Sequence, residues 1–186
     1  MAKNRQKSTL SLMVTAFVIS LILTVLLAPI MRLLYPLKFE DEILKCSEKY
    51  SLDKHLIMAI ISAESNFRQE AVSHKSAIGL MQIKEETAKW CIDALGVSVE
   101  SGDISDPKDN IELGSAYISY LLGQYGGDIH TSLAAYNAGP GNVEKWLSDV
   151  RYSENGKSLL KIPFSETKAY VEKIEKRAKI YEVLYP

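Results

Sequence analysis

The sequence is poor in the residues that most metal and redox sites need. It has three histidines, His55, His74 and His130, and two cysteines, Cys46 and Cys91, in 186 residues. None of them forms HExxH, CxxC or another ligand spacing, so no metal and no cofactor is expected. A disulfide between the cysteines is permitted outside the cytoplasm, and two buried thiols are the other reading. Charge of one sign is also missing, since 22 lysines and arginines meet 23 aspartates and glutamates. Without a basic surplus to neutralise phosphates, nucleic acid is not an expected partner. No internal repeat and no low-complexity tract occurs. No run alternates apolar and polar residues convincingly, so strands are not expected and the class is all-α, mainly helical.

What the chain does have is a long apolar run. Lys3, Arg5 and Lys7 precede a stretch from Ser8 to Met31 without one ionisable side chain. A bilayer-crossing helix takes about 20 apolar residues, whereas a signal-peptide core takes about 7 to 15. The segment LLAPI is a poor small-residue cleavage site, so residues 1–35 read as a basic tip followed by an uncleaved transmembrane signal anchor. A buried core helix is the bland alternative. Glu40, Asp41 and Glu42 follow the run, and the positive-inside rule then leaves residues 38–186 outside the cytoplasm, in a periplasm or cell-wall space.

After the Tyr35-Pro36-Leu37 junction, helical patterns succeed one another. A first amphipathic segment covers residues 39–50 around Phe39, Ile43 and Leu44, and Ser51 or Asp53 caps the next helix. Asp106-Pro107 supplies an N-cap and a first-turn proline for a helix through Ile111, Tyr117, Ile118 and Leu121. Gly126-Gly127 stops it. Another helix runs from about Asp128 to Tyr136, the NAGPGN segment turns the chain, and a last helix follows Pro163 with Tyr170, Ile174, Ala178 and Tyr181 on one face. Residues 149–161 read as a mobile loop, and Tyr117 reads as core.

One residue is out of place in this pattern. In MAIISAESNF, residues 58–67, helical spacing puts Glu64 on the same face as Ile57, Ile60 and Ile61. Partial burial and the negative end of a helix both penalise a carboxylate, so both raise its pKa. A carboxyl group that keeps its proton near neutral pH suits general acid catalysis on a glycosidic oxygen. A surface glutamate at a fraying helix end is the alternative.

The residues downstream decide between the two. ESNF, the A-x-S of Ala71 to Ser73, GLMQI, DPKDNIELGSAY, AAYNAGPGNV and IPFSETKAYV follow one another in that order. Together, across roughly residues 39–185, they resemble the motif set of the soluble lytic transglycosylase (SLT) catalytic domain. The resemblance implies a goose-lysozyme-like helical domain, residues 36–186, that cleaves the MurNAc-GlcNAc bond of peptidoglycan and leaves 1,6-anhydro-MurNAc ends. It implies Glu64 as the only catalytic acid. An ordinary glycosidase flanks the bond with two carboxylates, whereas here the substrate supplies its own nucleophile.

The same resemblance implies substrate-binding roles for Ser73, Gln82, Tyr136, Asn137, Glu166 and Tyr170, with the last two beside Glu64. Leu80, Met81 and Ile83 read as packing, and Gly79 as a place of close backbone approach. The sequence departs from the motif set at Arg68-Gln69-Glu70, which lacks a proline, at Ser76, where a glycine is usual, and at Lys84-Glu85, in place of Met-Pro. Two other functions keep the same site. A goose-type muramidase would need a second carboxylate, for which Asp103, Asp106 and Asp109 are the nearest set, although Asp106 reads better as a helix cap. A catalytically silent glycan-binding scaffold would sit within a cell-envelope machine, itself a candidate partner. The expected partners are therefore peptidoglycan strands and, through the N-terminal helix, a membrane.

Overall fold

The computed structural model describes the backbone of residues 2–186, and the side chains from residue 12 onward except those of residues 21, 23–25 and 28. The chain divides into two compact units, Met1–Pro36 and Leu37–Pro186. The first unit is a single helix, α1 (Ala2–Leu34), with Pro29 inside it and Arg32 in its last turn. Among the described residues no helix is long and apolar enough to cross a membrane. Part of the run from Ser8 to Met31 lies outside the described side chains, so the anchor reading is carried by the sequence.

The second unit contains α2 (Glu40–Tyr50), α3 (Lys54–Glu64), α4 (Glu85–Leu95), α5 (Pro107–Gln124), α6 (Ile129–Ala138), α7 (Pro140–Leu147) and α8 (Ser165–Leu184). Among the described residues the only β pairing is two isolated bridges, Val72 with Ile78 and Ile78 with Ile83. The aspartates start three of the helices. Asp53 accepts from the His55 amide at 2.8 Å, Asp106 from Lys108 at 2.9 Å and Asp128 from His130 at 3.1 Å, each supplying a partner for an orphan amide of a first turn. Ser51 instead closes α2 in a left-handed conformation, φ 52°.

Helix α3 is the centre of this unit. Leu56 to Ser62 are buried without interruption, so the helix is apolar all round and is surrounded by others. Each such Leu, Ile or Met side chain contributes about 1.5–3 kcal/mol by leaving water. Helix α8 packs along α3, α2 packs against both α3 and α5, and α6 joins α5, α7 and α8. Cys46 and Cys91 are buried free thiols on α2 and α4.

Two segments differ from their sequence patterns. The Gly-Pro-Gly turn is brief, because Gly139 at φ 87° is followed at once by α7 with Pro140 in its first turn. Proline there gives up an amide that a helix start leaves unpaired anyway. Residues 149–161, which read as a mobile loop, are cross-tied. The Leu160 amide donates to Tyr152 O at 2.8 Å and the Leu159 amide to Thr131 Oγ1 at 2.9 Å, while Ser153 and Leu159 are buried.

Candidate active site

Residues 65–84, between α3 and α4, carry no helix and make several left-handed turns: Asn66, Phe67, Ser76 and Gln82 have φ between 51° and 59°. Such conformations are unfavourable for side-chain-bearing residues, so something must hold them. Asn110, buried on α5, does much of this. Its Oδ1 accepts from the Met81 amide at 2.7 Å, and its Nδ2 donates to Ile78 O at 3.0 Å and Ile104 O at 2.7 Å. Gly79 lies so close that a Cβ there would fall 2.4 Å from Asn110 Nδ2, which explains the glycine. From α6, Tyr136 Oη donates to Met81 O at 2.9 Å, and Ser65 Oγ at the end of α3 donates to Leu80 O at 2.8 Å. Leu80, Met81 and Ile83 are buried, so the apolar residues of GLMQI anchor the segment.

The segment forms one wall of a cleft of about 420 Å³, with Glu64 at the end of α3 inside it. Glu64 is half-buried, and its Oε1 accepts from Tyr170 Oη at 2.6 Å. Two cations from α8 cover the last carbonyls of α3: Lys173 Nζ donates to Ala63 O at 2.6 Å, and Arg177 Nη1 to Ser62 O. Tyr170, Lys173 and Arg177 are spaced i, i+3, i+7, so one stripe of α8 serves the whole helix end.

Burial pushes the Glu64 carboxyl up, and the Tyr170 hydrogen bond and the Lys173 charge pull it partly back, leaving it at about 7. Near neutral pH the group therefore populates both its acid and its base form. Burial and the neighbouring Glu64 hold the Tyr170 phenol well above its ordinary value, so it stays a donor.

The other sequence-selected residues fall as follows. Ser73, Gln82, Tyr136, Asn137 and Glu166 all line the same cleft as Glu64. Ser73 Oγ accepts from the Ala77 amide at 3.0 Å, and Gln82 Nε2 donates to Ala71 O and Gly79 O, so both also brace the wall they belong to. Asn137 Oδ1 accepts from Thr167 Oγ1 at 2.8 Å, linking α6 to α8. Glu166 is exposed and lies 3.7 Å from Lys75 Nζ, bridging the start of α8 and the wall.

Tyr117, which read as core, is half-buried and lines the cleft, because its ring tilts against Tyr136 with centroids 5.4 Å apart. Lys173 and Asn110 escaped the sequence reading. Asn110 lies within the DPKDNIELGSAY motif, which by itself gives it no role. Asp103, Asp106 and Asp109 serve local structure: Asp109 accepts from the amides of Glu100, Ser101 and Gly102 and from Ser101 Oγ. None of the three lines the cleft. Among the described residues no group of histidines, cysteines and carboxylates is placed to hold a metal.

The geometry is a single poised carboxyl in a polar cleft, and the family model for the transglycosylase SLT domain matches residues 41–159. The chain belongs to the transglycosylase SLT family. The soluble lytic murein transglycosylase of Escherichia coli K12 is 34% identical over 143 residues, covering 75% of this chain and 22% of that protein. The membrane-bound lytic murein transglycosylase C of Serratia proteamaculans is 33% identical over 168 residues, covering 77% of this chain and 46% of its own. Among solved structures, the 70-kDa soluble lytic transglycosylase of Escherichia coli superposes with a TM-score of 0.73 at 31% identity, covering 82% of this chain and 25% of that one. The lytic transglycosylase Slt of Pseudomonas aeruginosa, solved as an inactive mutant, gives 0.70 at 32% identity, covering 81% and 25%. This SLT chain thus spans between about a fifth and a half of the length of these relatives.

Proposed function

We propose that the chain is a peptidoglycan lytic transglycosylase that cleaves the MurNAc-(β1,4)-GlcNAc bond and leaves 1,6-anhydro-MurNAc. The observation that carries this reading is the Glu64 carboxyl, half-buried in the cleft, held by Tyr170 and pushed up to about 7. In its acid form Glu64 protonates the leaving glycosidic oxygen as the bond to C1 breaks. In its carboxylate form it then takes the proton of the C6 hydroxyl, whose oxygen bonds to C1 and closes the anhydro ring. Glu64 ends protonated and ready for another cycle, and no water is consumed. Tyr170 fixes the carboxyl's orientation in both steps. Ser73, Gln82, Tyr136, Asn137 and Glu166 bind the glycan along the walls.

Residues 1–35 then act as cytoplasmic tip and membrane anchor, and residues 36–186 as the catalytic domain on the extracytoplasmic side. Support comes from the uncharged run Ser8 to Met31 and from the apolar side chains of α1, where Leu12, Phe17, Ile22 and Leu26 are all more than half exposed instead of packed in a core. A membrane-held lytic enzyme also suits a cell-envelope machine that must open the wall at one place.

The test is mass spectrometry of the products that the full chain releases from purified peptidoglycan, with Glu64→Gln alongside. Anhydro-muropeptides, lighter than hydrolytic products by one water, are expected. Glu64→Gln should reduce their release by about 10³-fold or more. Reducing-end products, or an active Glu64→Gln variant, would overturn the mechanism.

A further inference from the structure

Helix α3 ends at Glu64, and a helix end is a poor place to make a carboxylate, because the last carbonyls carry partial negative charge. Helix α8 covers two of those carbonyls. Lys173 Nζ donates to Ala63 O at 2.6 Å, and Arg177 Nη1 donates to Ser62 O and, at 2.6 Å, to Ser62 Oγ. Lys173 comes about one turn after Tyr170, so the stripe that sets the phenol on Glu64 also brings an ammonium to the residue before it. The backbone carbonyl holds that ammonium, and the carboxyl keeps the phenol as its hydrogen-bond partner. Lys49, by contrast, donates straight to the Glu112 carboxyl.

An acid catalyst must part with its proton and then hold the charge left behind. A cation in direct contact would keep the carboxyl ionised, and no cation would leave the new charge unsupported beside a negative helix end. Lys173 stands between these extremes. Burial raises the Glu64 carboxyl, and the Lys173 charge acts against it through space. Tyr170 from α8 and Tyr136 from α6 are phenols held well above their ordinary value, so they bring no charge. His74, Lys75 and Lys84 of the wall, Glu86 of α4 and Glu166 of α8 are exposed along the cleft, and Lys75 pairs with Glu166. Among the charged groups of the described residues, Lys173 is the one that shifts Glu64. Burial and the Arg177 charge lower the Lys173 ammonium itself, and Glu64 pulls it the other way. Resting on the transglycosylase reading of the cleft, we propose that Lys173 is a positioning residue for the reaction: held on Ala63 O, its ammonium offsets the negative end of α3 and supports the Glu64 carboxylate formed when the glycosidic oxygen takes the proton. Lys173 does not line the cleft and acts through Glu64.

The detergent-solubilised full chain, with its glutamate side-chain carboxyls labelled with carbon-13, is titrated by NMR without substrate. Glu64 is assigned as the resonance missing from Glu64→Gln. Lys173→Met should move the Glu64 midpoint up by about half a pH unit, and Lys173→Arg should restore it. Release of anhydro-muropeptides should follow, with kcat about threefold lower in Lys173→Met, KM little changed and the alkaline limb at higher pH. Lys173→Gln keeps a donor for Ala63 O without the charge and should behave as Lys173→Met does, whereas a lysine that only ties α8 to α3 would accept glutamine without effect on the midpoint. An unmoved Glu64 midpoint in the Met and Gln variants would overturn the proposal, and so would a shift that Lys173→Arg fails to reverse. The titration needs no turnover, whereas the muropeptide masses report the reaction, so failure of the Lys173 role and failure of the transglycosylase reading are told apart.

Discussion

Two half-buried glutamates of the Leu37–Pro186 unit have opposite surroundings. Glu64, at the end of α3, accepts one hydrogen bond from a phenol, and Glu112, on α5, accepts from Lys49 Nζ, from Tyr50 Oη at 2.5 Å and from Cys46 Sγ at 3.3 Å. Burial pushes both carboxyls up. At Glu112 the Lys49, Tyr50 and Cys46 donors outweigh it and hold the group below the usual carboxylate value, whereas at Glu64 burial wins. Burial alone does not make an acid catalyst. The Glu112 corner spends its charge on joining α2 to α5, and the Glu64 corner leaves its carboxyl undersupplied with donors and open to a cleft.

Breaking the tied corner should have the largest effect on stability. Glu112→Ala strips three donors of their acceptor and should destabilise the fold by about 2 kcal/mol, read as a lower urea midpoint, while Glu64 keeps its surroundings. Tyr170→Phe makes the poised corner poorer still. It removes the one donor that favours the carboxylate, so the alkaline limb of kcat/KM should move to higher pH and kcat should drop about tenfold, or about 1.4 kcal/mol. An unmoved limb would show that the phenol does not tune Glu64.

The smallest effect concerns stability against pH. The folded Glu64 pKa lies above its ordinary 4.5, so the native state gains from the bound proton below about 4.5 and loses that gain as pH rises through about 7. Glu64→Gln removes the charge. It should leave the melting temperature unchanged at pH 4 and raise it at pH 8, the gain corresponding to about 1 kcal/mol of stability at a partly exposed site. Equal melting temperatures at pH 8 would mean that the carboxylate is not penalised.

The contrast between these corners was only partly legible in the sequence. Helix spacing places Glu64 on an apolar face, and aspartates stand at the starts of α3, α5 and α6, with a first-turn proline at α5, because these signals act within one turn. Lys173 reads as an ordinary surface lysine of an amphipathic helix until α3 is placed against α8. Asn110 acts on residues about thirty positions away, and local pattern carries no information at that range. Helix α7 was hidden for a different reason: Gly-Pro-Gly marks a turn and a helix start equally well. The cross-ties of residues 149–161 likewise depend on Thr131, a partner outside the segment.

The bond between Tyr170 and Glu64 spans 106 residues of chain, and this orders events in time. A ribosome adding about 5–20 residues per second needs roughly 5 to 20 seconds to make the phenol after it has made the acid. A nascent or truncated chain that stops short of α8 has Glu64 but neither Tyr170 nor the cations that cover the end of α3. Glu64 gains its phenol partner only once α8 has been made, so a copy cut before α8 carries the carboxyl without the groups that set its pKa.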